Sequence, residues 1–244
     1  MRDTLREYGQ MALGTRTLTG PRLAPARGNA THLVVLCHGY GADGNDLIGL
    51  APLWQRLMPT VAFAAPNAPE PCAGAPMGYQ WFPISRLDPH AMRTGVESAA
   101  SVLNAFVDAE LKRLDLAPER LALVGFSQGT MMSLHIGLRR PVKPAAIVGY
   151  SGMLTESEGL GKLAREAPPI LLVHGDADTM IPAEFLFVSA GALGAAGAAV
   201  QWHLSRGIGH SIDEDGLALG GTFLAMAFRG LLRRAAAEIS CPVS

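Results

Sequence analysis

The chain has 244 residues, of which 49% are apolar and 17% are charged, and its formal net charge is −1. That apolar fraction excludes a disordered protein, and the length suits one large α/β domain or two small ones. A nucleic-acid partner is not expected, because neutralising phosphates needs clustered basic residues and no basic run here exceeds two residues.

Cysteine usage indicates the redox compartment. The three cysteines, Cys37, Cys72 and Cys241, are far apart and form no C-x-x-C pair. This spacing predicts neither a disulfide framework nor a zinc site, and it fits a reducing compartment. The first ten residues include four charged side chains, Arg2, Asp3, Arg6 and Glu7, and no apolar segment follows them, so we expect no signal peptide and a cytoplasmic location.

Two stretches without charged side chains, residues 121–138 and 185–205, are long enough to raise the question of a membrane span. Glycine, glutamine and histidine interrupt both stretches, which is not typical of a spanning helix. We interpret each stretch as a strand and a helix joined by a turn, and we predict no membrane span.

The first part of the chain predicts three strands and a long loop. Residues 15–23 are predicted as a peripheral strand, and His32–Cys37, a run of apolar and β-branched residues, as a buried strand. Residues 61–65 form a further apolar strand that Pro66 ends. Residues 66–89 contain six prolines, which predicts a long loop, and long loops in compact domains are usually functional.

The rest of the chain alternates helices and strands. Helices are predicted over residues 91–114, 127–138, 183–195 and 216–237, and strands over residues 120–124, 145–150, 170–174 and 200–204. The strands are continuously apolar, which is typical of a parallel sheet buried on both faces. The expected fold is an α/β sheet with helices on both faces, in one domain over residues 29–244 that follows an extension over residues 1–28.

A G-x-S-x-G motif at residues 125–129 lies between a predicted strand and a predicted helix. Ligands of such sheets bind beyond the carboxyl ends of the strands, where a sharp turn would project the Ser127 hydroxyl. Gly125 and Gly129 leave room for close backbone approach, and the helix that follows directs N–H groups at a developing oxyanion. The simpler interpretation is a serine helix cap, but the strand–turn–helix context favours a nucleophile.

A serine nucleophile needs a base. Among seven histidines, His210 lies in a glycine-rich loop just after the strand over residues 200–204, where an imidazole can reach over the sheet. His38 and His174 also follow strands and precede glycines, but a turn-stabilising hydrogen bond is the simpler interpretation of both. His210 is therefore the predicted base.

The base in turn needs an orienting acid, and two candidates follow the strand over residues 170–174. Asp176 and Asp178 are two residues apart, and their spacing alone does not choose between them. The order of Ser127, either aspartate and His210 along the chain is the Ser…Asp…His order of α/β-hydrolases.

The strand His32–Cys37 ends in the glycine-rich segment HGYGADG at residues 38–44. The backbone N–H of Tyr40, together with that of Gln128, is the predicted pair of oxyanion donors. A phosphate-binding loop is disfavoured because neither GxxxxGK[ST] nor GxGxxG occurs. No H-E-x-x-H motif or His/Cys cluster is present, so neither a metal nor another cofactor is expected.

These features together resemble the phospholipase/carboxylesterase family of α/β-hydrolases, which includes acyl-protein thioesterases and small bacterial carboxylesterases. The resemblance runs from about residue 32 to about residue 215. The motifs that carry it are HGYGADG at 38–44, Trp81-Phe82, GFSQGT at 125–130, YSGML at 150–154, HGDADTMIP at 174–182 and GIGHSI at 207–212.

The resemblance implies an α/β-hydrolase fold with Ser127 as nucleophile, Asp178 as acid and His210 as base. It also places the oxyanion donors on the backbone of Tyr40 and Gln128. The preference for Asp178 as the acid comes from this resemblance. One departure is at residue 83, where the family often has aspartate after the Trp-Phe pair and this chain has proline, so the shape of the acyl pocket is not carried over.

The expected function is a serine hydrolase that cleaves esters or thioesters of short to medium acyl chains. Too few residues separate the strand over 145–150 from the next one to form a large cap, so the site is expected to be shallow and open. Met77, Trp81, Phe82 and Ile181 are predicted substrate contacts, although loop side chains also commonly cover a sheet edge. A peptidase or lactonase is the second hypothesis and a non-catalytic binding protein the third, and a homodimer is left open.

Overall fold

A computed structural model describes residues 17–75, 77–84, 88–157 and 159–232. Its strands are β1 Arg22–Leu23, β2 His32–Cys37, β3 Val61–Ala64, β4 Glu70–Pro71, β5 Tyr79–Gln80, β6 Leu121–Phe126, β7 Ala146–Tyr150, β8 Ile170–Gly175 and β9 Val200–Ser205. Seven of them form a central sheet in the order β1-β3-β2-β6-β7-β8-β9, and β4 and β5 form a small separate sheet. Within the central sheet β1 pairs antiparallel with β3, and the other neighbours are parallel.

Helices cover both faces of this sheet. They are α1 Gly44–Ile48, α2 Ala51–Gln55, α3 Pro89–Arg113, α4 Gln128–Arg139, α5 Leu160–Arg165, α6 Glu184–Ala195 and α7 Glu214–Phe228. Apolar residues of α3, α4, α5 and α6 pack on one face, and those of α1, α2 and α7 pack on the other. Successive strand residues point to opposite faces. In β2, for example, Leu33 and Val35 join the first layer while Val34 and Leu36 join the second.

Helix capping explains where two of the longer helices begin. The Asp88 side chain accepts a hydrogen bond from the Ala91 N–H at the start of α3, and Asp213 accepts one from the Gly216 N–H at the start of α7. Each carboxylate satisfies an N–H group that has no partner within the helix and lies at its positive end.

The strand order reverses at β2, and this reversal positions the site. The chain passes from β2 to β3 on one side of it, whereas β6 lies on its other side. Loops that leave the adjacent carboxyl ends of β2 and β6 therefore diverge and leave a crevice, which is where open α/β sheets bind ligands. Cys37, the last residue of β2, is in register with Gly125 of the G-x-S-x-G motif.

The predicted α/β fold with helices on both faces is confirmed. From β2 to β9 the predicted strands and long helices agree with the observed ones to within two residues at each end. The closing helix ends earlier than expected, at Phe228, and residues 233–237 of that prediction lie outside the described residues. Of the predicted peripheral strand, only β1 forms, and residues 15 and 16 lie outside the described residues.

Short elements were not predicted. The helices α1, α2 and α5 and the paired strands β4 and β5 span two to six residues each, too few to show a periodic pattern. Between β7 and β8 the described residues hold a single six-residue helix, α5, so no large cap covers the sheet there. In the described part of the chain, no helix is both long enough and apolar enough to cross a bilayer.

Candidate active site

Ser127 lies on the sharp turn between β6 and α4, with φ 53° and ψ −118°. This backbone conformation is strained for a residue with a side chain, by about 1–3 kcal/mol, and persists only where its surroundings hold it. Here the Ser127 N–H donates to the Tyr150 carbonyl at 2.9 Å, and the Thr130 hydroxyl lies 2.8 Å from the carbonyl oxygens of both Gly125 and Tyr150. Hydrogen bonds to β7 thus hold the serine at the carboxyl end of β6.

Two glycines allow the turn to fit between β6 and β2. A Cβ atom on Gly125 would lie 2.2 Å from the Gly129 oxygen, and one on Gly129 would lie 1.8 Å from the Cys37 oxygen. Both distances are far below any real carbon–oxygen contact, and the obstructing atoms belong to backbone. Glycine at both positions is what lets the start of α4 approach the end of β2.

Asp178 follows β8, and none of its side chain is exposed. One carboxylate oxygen, Oδ1, accepts hydrogen bonds from the N–H groups of Met180 and Ile181, each at 2.9 Å. The other, Oδ2, lies 2.7 Å from Nδ1 of His210. A carboxylate in this position can hold only a proton-bearing Nδ1, so it sets the tautomer of the His210 ring.

His210 lies in the loop after β9, with 19% of its side chain exposed. The Ala177 N–H donates to the Ile208 carbonyl at 3.0 Å, which joins the loop after β8 to the loop after β9. The Phe126 ring, next to Ser127 in the chain, packs against the imidazole with 4.9 Å between ring centroids. These contacts bring His210 to the turn that carries Ser127.

Asp176 has a different role from Asp178. Its Oδ1 accepts a hydrogen bond from the Gly207 N–H at 2.6 Å, and its own N–H donates to the Ser205 carbonyl at 2.9 Å. The structure therefore brings Asp178 against His210 and uses Asp176 to hold the loop that carries that histidine.

The two predicted oxyanion donors lie at the adjacent ends of β2 and β6. Gln128 is the first residue of α4, where an N–H group has no acceptor within the helix. Among the residues that the structure describes, neither this N–H nor that of Tyr40 donates to another protein group. Both are therefore free to bind a substrate oxygen.

The Gln128 side chain, fully buried, ties the loop over residues 66–89 to the Ser127 turn. Its Oε1 accepts the Trp81 N–H at 2.9 Å, and its Nε2 donates to the Phe82 carbonyl at 2.8 Å. The Trp81 indole donates to the His38 carbonyl at 3.0 Å. One loop is thereby joined to both segments that carry predicted oxyanion donors.

His38 provides a further connection between the same segments. Its Nε2 accepts the Ala68 N–H at 2.9 Å and its Nδ1 donates to the Gly39 carbonyl at 2.7 Å. Burial lowers the pKa of His38, so the ring stays neutral and keeps both roles. The bond to the Gly39 carbonyl agrees with the turn-stabilising hydrogen bond expected of His38, whereas its bond to Ala68 and the contacts of the Gln128 side chain were not predicted from the sequence.

The predicted substrate contacts differ in accessibility. Met77 is 89% exposed, whereas Trp81, Phe82 and Ile181 are buried, with exposures of 1–4%. A cavity of about 430 Å³ lies between α3, β1 and the long loop, with Trp81 in its wall. Ser127, Asp178 and His210 do not line it, so this cavity is separate from the crevice at the ends of β2 and β6.

Within the described residues, no group of three histidine, cysteine, aspartate or glutamate side chains is arranged to hold a metal ion. Cys37 and Cys72 are buried and form no disulfide within the described part of the chain, and burial raises the pKa of the Cys37 thiol to about 12. That thiol is therefore protonated and unreactive at neutral pH.

Comparison with known proteins identifies relatives along most of the chain. The sequence profile of the family described as Phospholipase/Carboxylesterase matches residues 18–227. Acyl-protein thioesterase 1 of Gibberella zeae is 30% identical over 81% of this chain and 91% of its own length. Acyl-protein thioesterase 1 of Schizosaccharomyces pombe is 31% identical over 66% of this chain and 74% of its own.

Solved structures agree with these sequence matches. The crystal structure of esterase PE8 superposes with a TM-score of 0.80 at 42% identity, over 88% of this chain and 100% of the other. Acyl-protein thioesterase 2 of Zea mays superposes with a TM-score of 0.67 over 86% of this chain and 99% of the other. At 22% identity, the maize protein supports the fold alone.

Proposed function

The chain belongs to the phospholipase/carboxylesterase family of α/β-hydrolases, and we propose that it hydrolyses carboxylic esters or thioesters with Ser127, His210 and Asp178 as its catalytic triad. The observation that carries the proposal is the 2.7 Å contact between His210 Nδ1 and the buried Asp178 carboxylate, beside the strained turn that holds Ser127.

The proton transfers follow from this contact. Because Nδ1 of His210 bears the proton shared with Asp178, Nε2 is the nitrogen left to take the proton of Ser127 as its oxygen attacks the acyl carbon. The imidazolium that forms is stabilised by the carboxylate, and it then protonates the leaving alcohol or thiol. Water, activated by the same histidine, hydrolyses the acyl-serine and restores the enzyme.

The N–H groups of Tyr40 and Gln128 bind the negative charge that develops on the carbonyl oxygen. They need no rearrangement at that moment, because the loop contacts of Trp81 and His38 fix the segments that carry them. Loss of one such donor typically raises the barrier by about 3 kcal/mol.

The proposed substrates are esters or thioesters of short to medium acyl chains. Between β7 and β8 the described chain has only the six-residue helix α5, which leaves the crevice open and gives a long acyl chain little wall to bury against. Met77, Trp81, Phe82 and Ile181 stay predictions as substrate contacts. As an exposed side chain, Met77 can touch substrate directly, whereas the buried Trp81 and Phe82 would act by holding the loop in place.

Fluorophosphonate labelling tests the nucleophile. Wild type should be labelled at Ser127, Ser127→Ala should be neither labelled nor active on p-nitrophenyl esters, and Ser101→Ala, at an exposed serine of α3, should behave as wild type. Unlabelled wild-type protein would favour a non-catalytic binding protein, and wild-type turnover by Ser127→Ala would refute the nucleophile.

The two aspartates provide a matched test of the acid. Asp178→Asn should lose most of kcat, because an amide cannot stabilise the imidazolium. Asp176→Asn keeps an oxygen acceptor for the Gly207 N–H and should retain activity. The reverse result would make Asp176 the acid.

A substrate panel separates the related hydrolase functions. Esters and thioesters from acetyl to palmitoyl measure the chain-length preference, and peptides and lactones test the second hypothesis. Preferred turnover of a peptide or a lactone would contradict the esterase assignment while leaving the triad intact.

A homodimer and a cytoplasmic location also stay predictions. Phe187, Val188 and Trp202, on α6 and the edge strand β9, are exposed apolar side chains that a second copy would cover, and Phe187 and Trp202 pack edge to face at 5.2 Å. Sedimentation equilibrium of wild type and Trp202→Ser tests the dimer, and cell fractionation tests the location.

A further inference from the structure

We propose that His174 is a positioning residue that holds the loop of Asp178 and its carboxylate in place for His210, through a hydrogen bond to the Ile181 carbonyl and a close contact with Oδ2, an inference that rests on the triad proposed above. His174 is the fifth residue of β8 and lies four residues before Asp178, and 1% of its side chain is exposed.

The His174 ring spans the loop that carries the acid. Its Nε2 lies 2.9 Å from the Ile181 carbonyl oxygen and 3.3 Å from Asp178 Oδ2. The Ile181 carbonyl can only accept, so Nε2 must bear the proton and donate it there, and the same N–H edge lies close to the carboxylate. The same ring therefore joins the acid to the far end of its own loop.

The opposite nitrogen of the ring faces no acceptor for a second proton within the described part of the chain. His174 Nδ1 is buried and has no hydrogen-bond partner among the residues that the structure describes. Burying a bare lone pair costs less than burying an N–H group without an acceptor, and orphaned buried N–H groups are rare. The arrangement therefore favours the Nε2–H tautomer over the imidazolium, which would add an unsatisfied donor at Nδ1.

Asp178 Oδ2 thus lies between two imidazole rings of different character. His174 offers a fixed dipole, whereas His210, partly exposed, is free to gain a charge during the reaction. A charged His174 would compete with His210 for the carboxylate and weaken stabilisation of the catalytic imidazolium. Its neutrality leaves the full carboxylate charge available to His210.

The carboxylate plane is fixed from both sides by this arrangement. Met180 and Ile181 hold Oδ1 through their N–H groups, and His174 contacts Oδ2 from the strand side at 3.3 Å. Without His174, the Ile181 carbonyl loses the hydrogen bond that anchors the loop to β8, and Oδ2 loses the N–H dipole beside it. The expected consequence is a carboxylate that rotates and an imidazole that is less well aligned with Ser127.

Two polar substitutions of similar chemistry test the role of the Nε2 donor. In His174→Gln the amide NH₂ extends to about the position of Nε2, whereas in His174→Asn it is too short to reach the Ile181 carbonyl or Oδ2. His135→Asn is the matched control, because His135 on α4 is also buried, with an Nδ1 that has no partner in the described structure, but lies near Arg139 and Glu97.

Three readouts separate positioning from general stability: kcat and KM on a p-nitrophenyl ester, the low-field proton resonance of the His210 Nδ1–H···Asp178 hydrogen bond, and urea unfolding. We expect His174→Asn to lower kcat about 10- to 100-fold with KM changed less than about twofold, and to broaden or remove the resonance. His174→Gln should stay within about threefold of wild-type kcat and keep the resonance, as should His135→Asn.

Equal kcat in His174→Gln and His174→Asn would overturn the proposal, and so would a normal resonance in His174→Asn. Loss of urea stability alone, with kcat and the resonance unchanged, would leave His174 a purely structural residue. Failure of the triad itself gives a different result, since wild-type protein would then show neither turnover nor fluorophosphonate labelling at Ser127.

Discussion

Replacing Gly129 by alanine should impair both folding and catalysis through one steric conflict. The new methyl carbon would lie 1.8 Å from the Cys37 carbonyl oxygen and 2.7 Å from that of His38. Ordinary contacts begin near 3.4 Å, and both obstructing atoms are backbone atoms at the end of β2. The start of α4 and the end of β2 would therefore have to separate by at least about 1 Å.

Overpacking of this kind usually costs about 1–3 kcal/mol, and we expect the upper end because no flexible side chain can yield. The displaced segment continues into Tyr40, whose N–H is a proposed oxyanion donor. A shift of about 1 Å in a catalytic group commonly costs about 100-fold in rate. Gly129→Ala should therefore lose about 3 kcal/mol of unfolding free energy and about two orders of magnitude in kcat.

Urea unfolding and ester hydrolysis measure the two effects. Gly191→Ala in α6 is the matched control, because a Cβ there meets no atom within 4 Å. Alanine is favoured over glycine inside a helix, so that variant should gain about 0.5–1 kcal/mol with unchanged kcat. Wild-type stability and activity in Gly129→Ala would refute the steric argument for glycine at this turn.

Other predictions concern stability. Thr130→Val removes the hydroxyl between the Gly125 and Tyr150 carbonyls, and urea unfolding should show a loss of about 1–3 kcal/mol; an unchanged value would show that the turn does not depend on that bond. Burial, with the charge of Arg120 nearby, lowers the pKa of His32 from 6.5 to about 4. As pH falls, the unfolded chain therefore binds a proton at this histidine before the folded chain does, so His32 should lower the free energy of unfolding between pH 6.5 and about 4. The difference in unfolding free energy between wild type and His32→Gln should change within that pH range and stay constant above it. Burial alone would raise the pKa of Glu110, but hydrogen bonds from Arg22 and Arg113 outweigh it and lower that pKa. The difference in unfolding free energy between wild type and Glu110→Gln should therefore shrink at pH values below 4.5, and a difference independent of pH would contradict the ion-pair role.

Most of the regular structure was predictable from local patterns. Continuous apolar runs such as those of β2 and β8 specify buried strands, because a strand covered on both faces exposes neither set of its alternating side chains. The spacing of apolar residues in α3 specifies an amphipathic helix in the same way. The short helices α1 and α2 were missed because five residues complete too few turns to show a period.

The candidate site was only partly predictable. The residue types and their positions after strands indicated Ser127, His210 and a pair of aspartates. Two carboxylates two residues apart in one loop look alike in sequence, and the fold separates them by directing Asp178 to His210 and Asp176 to Gly207. The predicted substrate contacts were also beyond the reach of the sequence, because Met77 and Trp81 are both apolar loop residues and only the fold exposes the first and buries the second.

The sequence by itself determined the layered α/β fold, the serine turn and the chemical class of the site, because each depends on patterns within one segment. The tertiary structure decided which segments meet. The order of β2, β3 and β6 places the Tyr40 loop beside Ser127, and the turn after β8 lets His174 share the Asp178 carboxylate with His210. These contacts depend on how separate segments pack against each other. A pattern within one segment carries no information about which other segment lies beside it.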